Sequence, residues 1–173
     1  MHMSGDASAW EVYGNVFCDT GAAPAGSTAH GVVANQQNGS IKRVKIYNNT
    51  IVGINGVSSG FRFFNRADEE VEAYNNLWYQ CPATAHMPGV TRQDYETYID
   101  TETRGELGPN DKRLKRVDPF VSARERDCHL ARATDPGKKL EAPYDRDMFG
   151  NVRGADGAWD HGAMEFITAS PAR

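Results

Sequence analysis

Apolar and polar residues alternate with period two in three separated stretches of the chain. Trp10-Glu-Val-Tyr-Gly-Asn15-Val-Phe17, Val44-Lys-Ile-Tyr-Asn-Asn49-Thr-Ile51 and Val71-Glu-Ala-Tyr-Asn-Asn76-Leu-Trp78 share one pattern. It reads apolar, charged, apolar, Tyr, Gly or Asn, Asn, any residue, large apolar. Period two is the signature of a strand with one buried face, and none of the copies carries the 3.6-residue stripe of a helix. Trp10, Val12, Val44, Ile46, Val71 and Ala73 are therefore expected to face inward. Glu11, Tyr13, Lys45, Tyr47, Glu72 and Tyr74 are expected to face outward. The Gly-Asn or Asn-Asn pair should break each strand, because Asn tolerates left-handed backbone angles and bonds nearby backbone groups. The large apolar residue that follows returns to the core.

The copies are offset by 34 and 27 residues. A second pair, Gly31-Val-Val-Ala-Asn35 and Gly60-Phe-Arg-Phe-Phe-Asn65, is offset by 29. Each repeat of about 30 residues thus holds at least two short strands, which fits a solenoid whose turns stack about 4.8 Å apart. A β-sandwich is the competing fold, but its turn signals recur about every 8–12 residues without the longer period. Thr91 to Ile99 carries a weak pattern for one short helix. The stretch from Pro82 to Arg116 is polar and lacks a strand pattern, so it is expected as a loop insertion. Met1-His2-Met3 is expected to carry no fold information.

Composition narrows the classes. The chain has 173 residues, 39% of them hydrophobic, and a net charge of -4, which suits one domain large enough to bury a core. No run approaches the roughly 20 apolar residues of a membrane span, and the N-terminus lacks the pattern of a secretory signal. Mild acidity argues against a nucleic-acid partner. Charge is unevenly spread: 5 of the 19 Lys and Arg and 7 of the 23 Asp and Glu precede residue 91. A strand-built first part and a charged, wrapping second part are the expected consequence.

The Asn48–Gly53 stretch, Asn-Asn-Thr-Ile-Val-Gly, resembles right-handed parallel β-helix proteins of the pectate-lyase-like kind. Val117-Asp-Pro-Phe-Val121, Asp127-Cys-His-Leu130, Asp145-Arg-Asp-Met-Phe-Gly-Asn-Val-Arg153 and Asp160-His-Gly-Ala-Met-Glu-Phe166 resemble the closing turn and tail of that family. The resemblance implies an all-β fold: a short right-handed parallel β-helix of about three coils, with a long loop insertion and a C-terminal wrapping tail. The expected organisation is a single domain over 1–173, with coils over 6–81, a polar loop over 82–116, and the last coil and closing tail over 117–166. It also implies that Asn15, Asn49 and Asn76 stack as an asparagine ladder. Family members usually carry more coils and an N-terminal capping helix. With the first coil beginning at Trp10, its strand edges are expected to be exposed and to be covered by a second copy or a partner chain.

Candidate chemistry is sparse. Tyr13, Tyr47 and Tyr74 should stack in one outward column, either as a stabilising ladder or as a platform for sugar rings. Glu11, Lys45 and Glu72 alternate in sign beside it and read as cross-strand pairs. Lys45, Arg62 and Arg66 are candidate bases, and Asp68, Glu69 and Glu70 candidate acids, for a lyase or hydrolase. Tyr95, Tyr98 and Arg104 are candidate ligand contacts in the 82–116 segment. No motif marks a catalytic set among them. Asp145-Arg-Asp147 with Gly150 lacks the further oxygen ligands of a calcium loop, so no metal and no cofactor is expected. The five histidines show no metal-ligand spacing. Lys112-Arg-Leu-Lys-Arg116 reads as a solvated face. Asn38-Gly-Ser40 and Asn48-Asn-Thr50 match a glycosylation sequon, the second lying within the expected ladder.

Cys18, Cys81 and Cys128 are odd in number and widely spaced, so no disulfide framework is expected. Unpaired cysteines fit a reducing interior, whereas related β-helix proteins are often extracellular, and the compartment stays open. The expected function is a non-catalytic module that binds carbohydrate or assembles, as a homo-oligomer through its first coil. The alternative is a polysaccharide lyase or glycoside hydrolase, or a fragment of one; polysaccharide or oligosaccharide is the expected partner class, with no nucleic acid and no membrane.

Overall fold

The computed structural model describes residues 2–4, 9–18, 32–35, 43–53, 61–63, 70–81, 90–103 and 105–167. Three parallel sheets dominate them. The first joins β1 (His2–Ser4), β4 (Val32–Asn35) and β7 (Phe61–Phe63). The second joins β2 (Trp10–Tyr13), β5 (Arg43–Tyr47), β8 (Glu70–Tyr74) and β10 (Arg92–Asp94). The third joins β3 (Val16–Cys18), β6 (Thr50–Val52), β9 (Leu77–Tyr79), β11 (Thr97–Ile99) and β12 (Lys112–Leu114). The chain visits the three sheets in the same order three times, then the second and third once more, and finally the third alone. This all-β arrangement of parallel sheets with no closed barrel is compatible with a β-solenoid. Among the described residues the one helical turn is the 3₁₀ segment Ala123–Glu125.

Strand register repeats the sequence alignment. Trp10, Val44 and Val71 are neighbours across the second sheet, as are Tyr13, Tyr47 and Tyr74. Phe17, Ile51, Trp78 and Tyr98 are neighbours across the third. Between the two sheets the chain turns through one left-handed residue per turn: Gly14, Asn48, Asn75 and Tyr95, with φ of 53° to 65°. Gly and Asn reach that region at low cost, which is why these pairs end the strands.

Val12, Val44, Ile46, Val71 and Ala73 from the second sheet bury against Ile51, Trp78 and Tyr98 from the third. The outer faces are covered as well. Phe120 of β13 (Phe120–Ser122), with Cys128 and Leu130 of β14 (Asp127–Leu130), joins Ala163 and Met164 over the outer face of the third sheet. β13 and β14 pair antiparallel. Further on, Leu140 and Tyr144 lie over the outer face of the second sheet.

Three expectations change. Thr91–Ile99 is not a helix but the strands β10 and β11, and β12 follows, so the 82–116 segment carries three strands where a loop was expected. Gln93 and Asp94 stand where the turn before places Ala73 and Tyr74, and this hid the alternation. The third sheet accordingly has five strands and not the expected three turns. His2–Ser4 pairs with β4 and is part of the first sheet.

Candidate functional site

The most regular polar feature is the corner between the second and third sheets. Asn15 Nδ2 donates to Asn49 Oδ1 (3.0 Å), Asn49 Nδ2 to Asn76 Oδ1 (2.9 Å), and Asn76 Nδ2 to Glu96 Oε1 (2.7 Å). Backbone amides run in parallel: Asn15 N to Asn49 Oδ1, Asn49 N to Asn76 Oδ1, Asn76 N to Glu96 Oε1, and Glu96 N to Asp111 Oδ1. The asparagine ladder is thus present and continues onto two carboxylates. Each rung needs an acceptor for the amide of the turn before it, and a carboxylate supplies one as well as an amide does.

Glu96 is wholly buried and also accepts from Trp78 Nε1 at 2.9 Å. Desolvation pushes its pKa up to about 8, against the pull of the Trp78 and Asn76 donors. An acid raised above its ordinary value of 4.5 takes up a proton on folding. Its stabilising contribution is complete below about pH 4.5 and is lost as pH rises to about 8. Burial also raises Glu165, to about 7, which acts in the same direction. His161, lowered by burial to about 4, loses stability in the opposite direction, as pH falls from 6.5. Above pH 7 the slope therefore belongs mainly to Glu96. Glu96→Gln is expected to lower the melting temperature, because an amide N–H₂ meets donors in a buried site. It should also flatten the fall in melting temperature between pH 7 and 8.5. Thermal melts by circular dichroism measure this; an unchanged slope in the variant would assign the dependence elsewhere.

The tyrosine column is in register but is roofed by the tail. Tyr144 packs edge-on against Tyr13 (4.9 Å, 89°) and Tyr47 (4.9 Å, 85°), while Tyr47 and Tyr74 lie tilted at 5.5 Å. Lys138 Nζ sits 3.4 Å from the Tyr74 ring centroid. Tyr47 and Tyr74 are buried, and Tyr13 alone of the three is exposed, at 38%. Tyr47 OH donates to Glu72 Oε2 at 2.5 Å, and burial with that carboxylate pushes its pKa far up. Lys45 Nζ donates to Tyr144 OH at 3.1 Å and lies 3.6 Å from Glu11. Arg92 bridges Glu70 (3.0 Å) and Glu72 (3.2 Å). Tyr47 and Tyr74 thus meet the tail, and Tyr13 alone of the column keeps an exposed part.

The other candidates do not converge. Tyr98 is in the core, stacked on Trp78 at 6.1 Å, and its OH accepts from Gln93 Nε2 at 2.8 Å. Tyr95 is half-buried at the corner, with φ of 58°. Arg62 lies in β7 beside Val33 of β4. Arg66, Asp68, Glu69, Arg104 and Asn38 fall outside the described residues. Asn48 is buried, and its Oδ1 accepts from Asn75 Nδ2 (3.1 Å) and Trp159 Nε1 (3.2 Å), a structural role for the second sequon. Asp147 accepts from Phe149 N, Asn151 N, Asn151 Nδ2 and Glu165 N, which fixes it as the organiser of a tail turn. Among the described residues no group of three or more His, Cys, Asp or Glu is placed to hold a metal ion. None of their helices is long and apolar enough to cross a membrane. One cavity of about 280 Å³ lies between the end of the third sheet and the tail. Its charged lining residues are Arg132 and Asp135, both exposed, and it is at the small end of ligand sites.

The first turn differs from those below it. Trp10, Val16, Phe17 and Cys18 are half-buried, while Val44, Thr50, Ile51 and Val52, their neighbours one strand on, are buried. Trp10 Nε1 is buried without a hydrogen-bond partner among the described residues. Among the described strands, β2 and β3 stand at the ends of their sheets. Asn15 donates down the ladder and is itself exposed. Sequence reasoning pointed to this end of the molecule and missed the roof over the tyrosines.

No protein-family model, curated protein or solved structure matches the chain.

Proposed function

We propose that the chain is a right-handed parallel β-helix of the pectate-lyase-like kind serving as a non-catalytic assembly module. In this reading it self-associates through the edges of its first turn. The observation that carries the reading is the drop in burial from the second turn to the first. Val16, Phe17 and Cys18 form an edge strand whose apolar side chains are half-covered, directly above a fully buried strand. The end of a sheet with half-covered apolar side chains is a template for further association. Two first turns meeting across a two-fold axis would pair edge to edge, antiparallel, and bury Trp10, Val16 and Phe17 between them. The tyrosine column supports assembly over carbohydrate binding in this reading, because Tyr144 and Lys138 already lie against its rings.

Light scattering of the chain at micromolar concentration is expected to give the mass of two chains. Phe17→Glu should return it to one chain, at a cost in melting temperature, since Phe17 also packs partly against the inner apolar cluster. A single-chain mass for the parent protein would overturn the reading.

A further inference from the structure

We infer that Cys18 and Cys128 are a redox-modification site: a dithiol that closes to an intramolecular disulfide. Their sulfurs lie 3.8 Å apart, although 110 residues separate them in sequence. Cys18 ends β3, at the edge of the third sheet, and Cys128 is on β14 of the closing hairpin. Both belong to the apolar cluster that holds the tail on that sheet, with Val52, Tyr79 and Ile99. An S–S bond is about 2.05 Å long, so the sulfurs must approach by less than about 2 Å. Among the described strands β3 stands at the end of the third sheet, where such a movement displaces one strand pairing. The third cysteine is an internal reference. Cys81 belongs to the inner cluster, and its thiol points to Ile51 O (3.6 Å) and Tyr79 O (3.5 Å).

The chemistry is exchange with a small-molecule disulfide such as oxidised glutathione. Cys18, half-buried and the more accessible of the two, loses its proton to solvent. Its thiolate attacks one sulfur of the oxidant and expels the first glutathione thiolate, which takes up a proton. Cys128 then loses its proton, and its sulfur attacks the Cys18 sulfur of the mixed disulfide, expelling the second glutathione. Two protein thiols are oxidised and one external disulfide is reduced to two thiols. The product ties the first turn to the closing hairpin. A bond closing so long a loop removes much chain entropy from the unfolded state. It would also hold down a turn whose side chains are only half-covered.

The test uses the whole chain incubated with oxidised glutathione, then denatured, alkylated and weighed. One alkyl group, on Cys81, and a Cys18–Cys128 linked peptide are expected. The melting temperature should rise by roughly 5–10 °C and fall back on reduction. Cys81→Ser should form the same bond and take up no alkyl group. Alkylation of all three cysteines, glutathione retained on Cys18, a bond to Cys81, or a bond between two chains would each overturn the inference. The oxidation is run on the parent chain and on Phe17→Glu, whose first turns do not associate in the reading above, so that failure of the bond in both overturns this inference whether or not first turns associate.

Discussion

Trp78→Ala is expected to be the most damaging single core substitution, lowering the melting temperature by about 6–20 °C. Trp78 is wholly buried at the middle strand of the five in the third sheet, between Ile51 and Tyr98. Removing a buried Trp side chain costs about 3–5 kcal/mol in lost transfer energy and cavity. A chain of this length loses roughly 2–4 °C per kcal/mol. The same change takes one donor from Glu96, which lies in the core with Asn76 as its other side-chain donor. Since domains are stable by about 5–15 kcal/mol, such a loss takes a large part of the margin. Trp78→Phe separates the contributions: it keeps most of the ring packing and removes the Nε1 donor. Denaturant titrations of both variants measure the split. A loss below about 1 kcal/mol in the alanine variant would show that the Ile51–Trp78–Tyr98 stack is not what holds the two sheets together.

The strand register was legible because it is the sequence alignment itself: residues that match in the three copies become neighbours across the sheet. The corner was legible for the same reason, since the Asn pairs mark a left-handed residue followed by a ladder rung. What lay hidden was the continuation. Tyr95-Glu96 and Asp111 meet the same backbone requirements with different side chains, and Gln93 and Asp94 break the apolar alternation. The physical demand at that position is an acceptor for the preceding turn's amide, not an asparagine. Read that way, Tyr95-Glu96-Thr-Tyr98-Ile99 matches Asn75-Asn76-Leu-Trp78-Tyr79 position by position. The fate of the outward column was hidden for a different reason. Alternation says which way Tyr47 points from its strand; it carries no information on what another part of the chain lays over it. Tyr144 and Lys138 reach the column by tertiary packing alone, and the approach of Cys128 to Cys18 is of the same kind.

The docking of the tail should therefore be sensitive to substitutions with no signature in the repeat, and Gly162 is where the effect is largest. Its φ is 94°, and a methyl group there would meet Thr50 Oγ1 at 2.6 Å and Leu77 Cβ at 3.2 Å. Around it, Gly162 N donates to Asn75 O (2.8 Å) and Ala163 N to Thr50 Oγ1 (2.8 Å), so the tail backbone is bonded directly to the corner and the third sheet. Arg153 Nη2 donates to the carbonyls of Gly162 (3.0 Å) and Ala163 (2.9 Å), fixing the other side of the segment. The segment is thus gripped between a buried guanidinium and two strands, with no room to give. Gly162→Ala combines a left-handed penalty with overpacking, together about 2–4 kcal/mol. Gly157→Ala is the control. Its φ is 100°, but nothing lies within 4 Å of the added methyl, so it carries the backbone penalty without the collision. Denaturant unfolding of the two variants should place Gly162→Ala at least about 1 kcal/mol below Gly157→Ala. Loosening of the tail would also expose Trp159, buried three residues before Gly162, and shift the folded-state fluorescence to the red. Equal stability of the two variants would mean that close approach of the tail backbone to Thr50 and Leu77 is not what seats it.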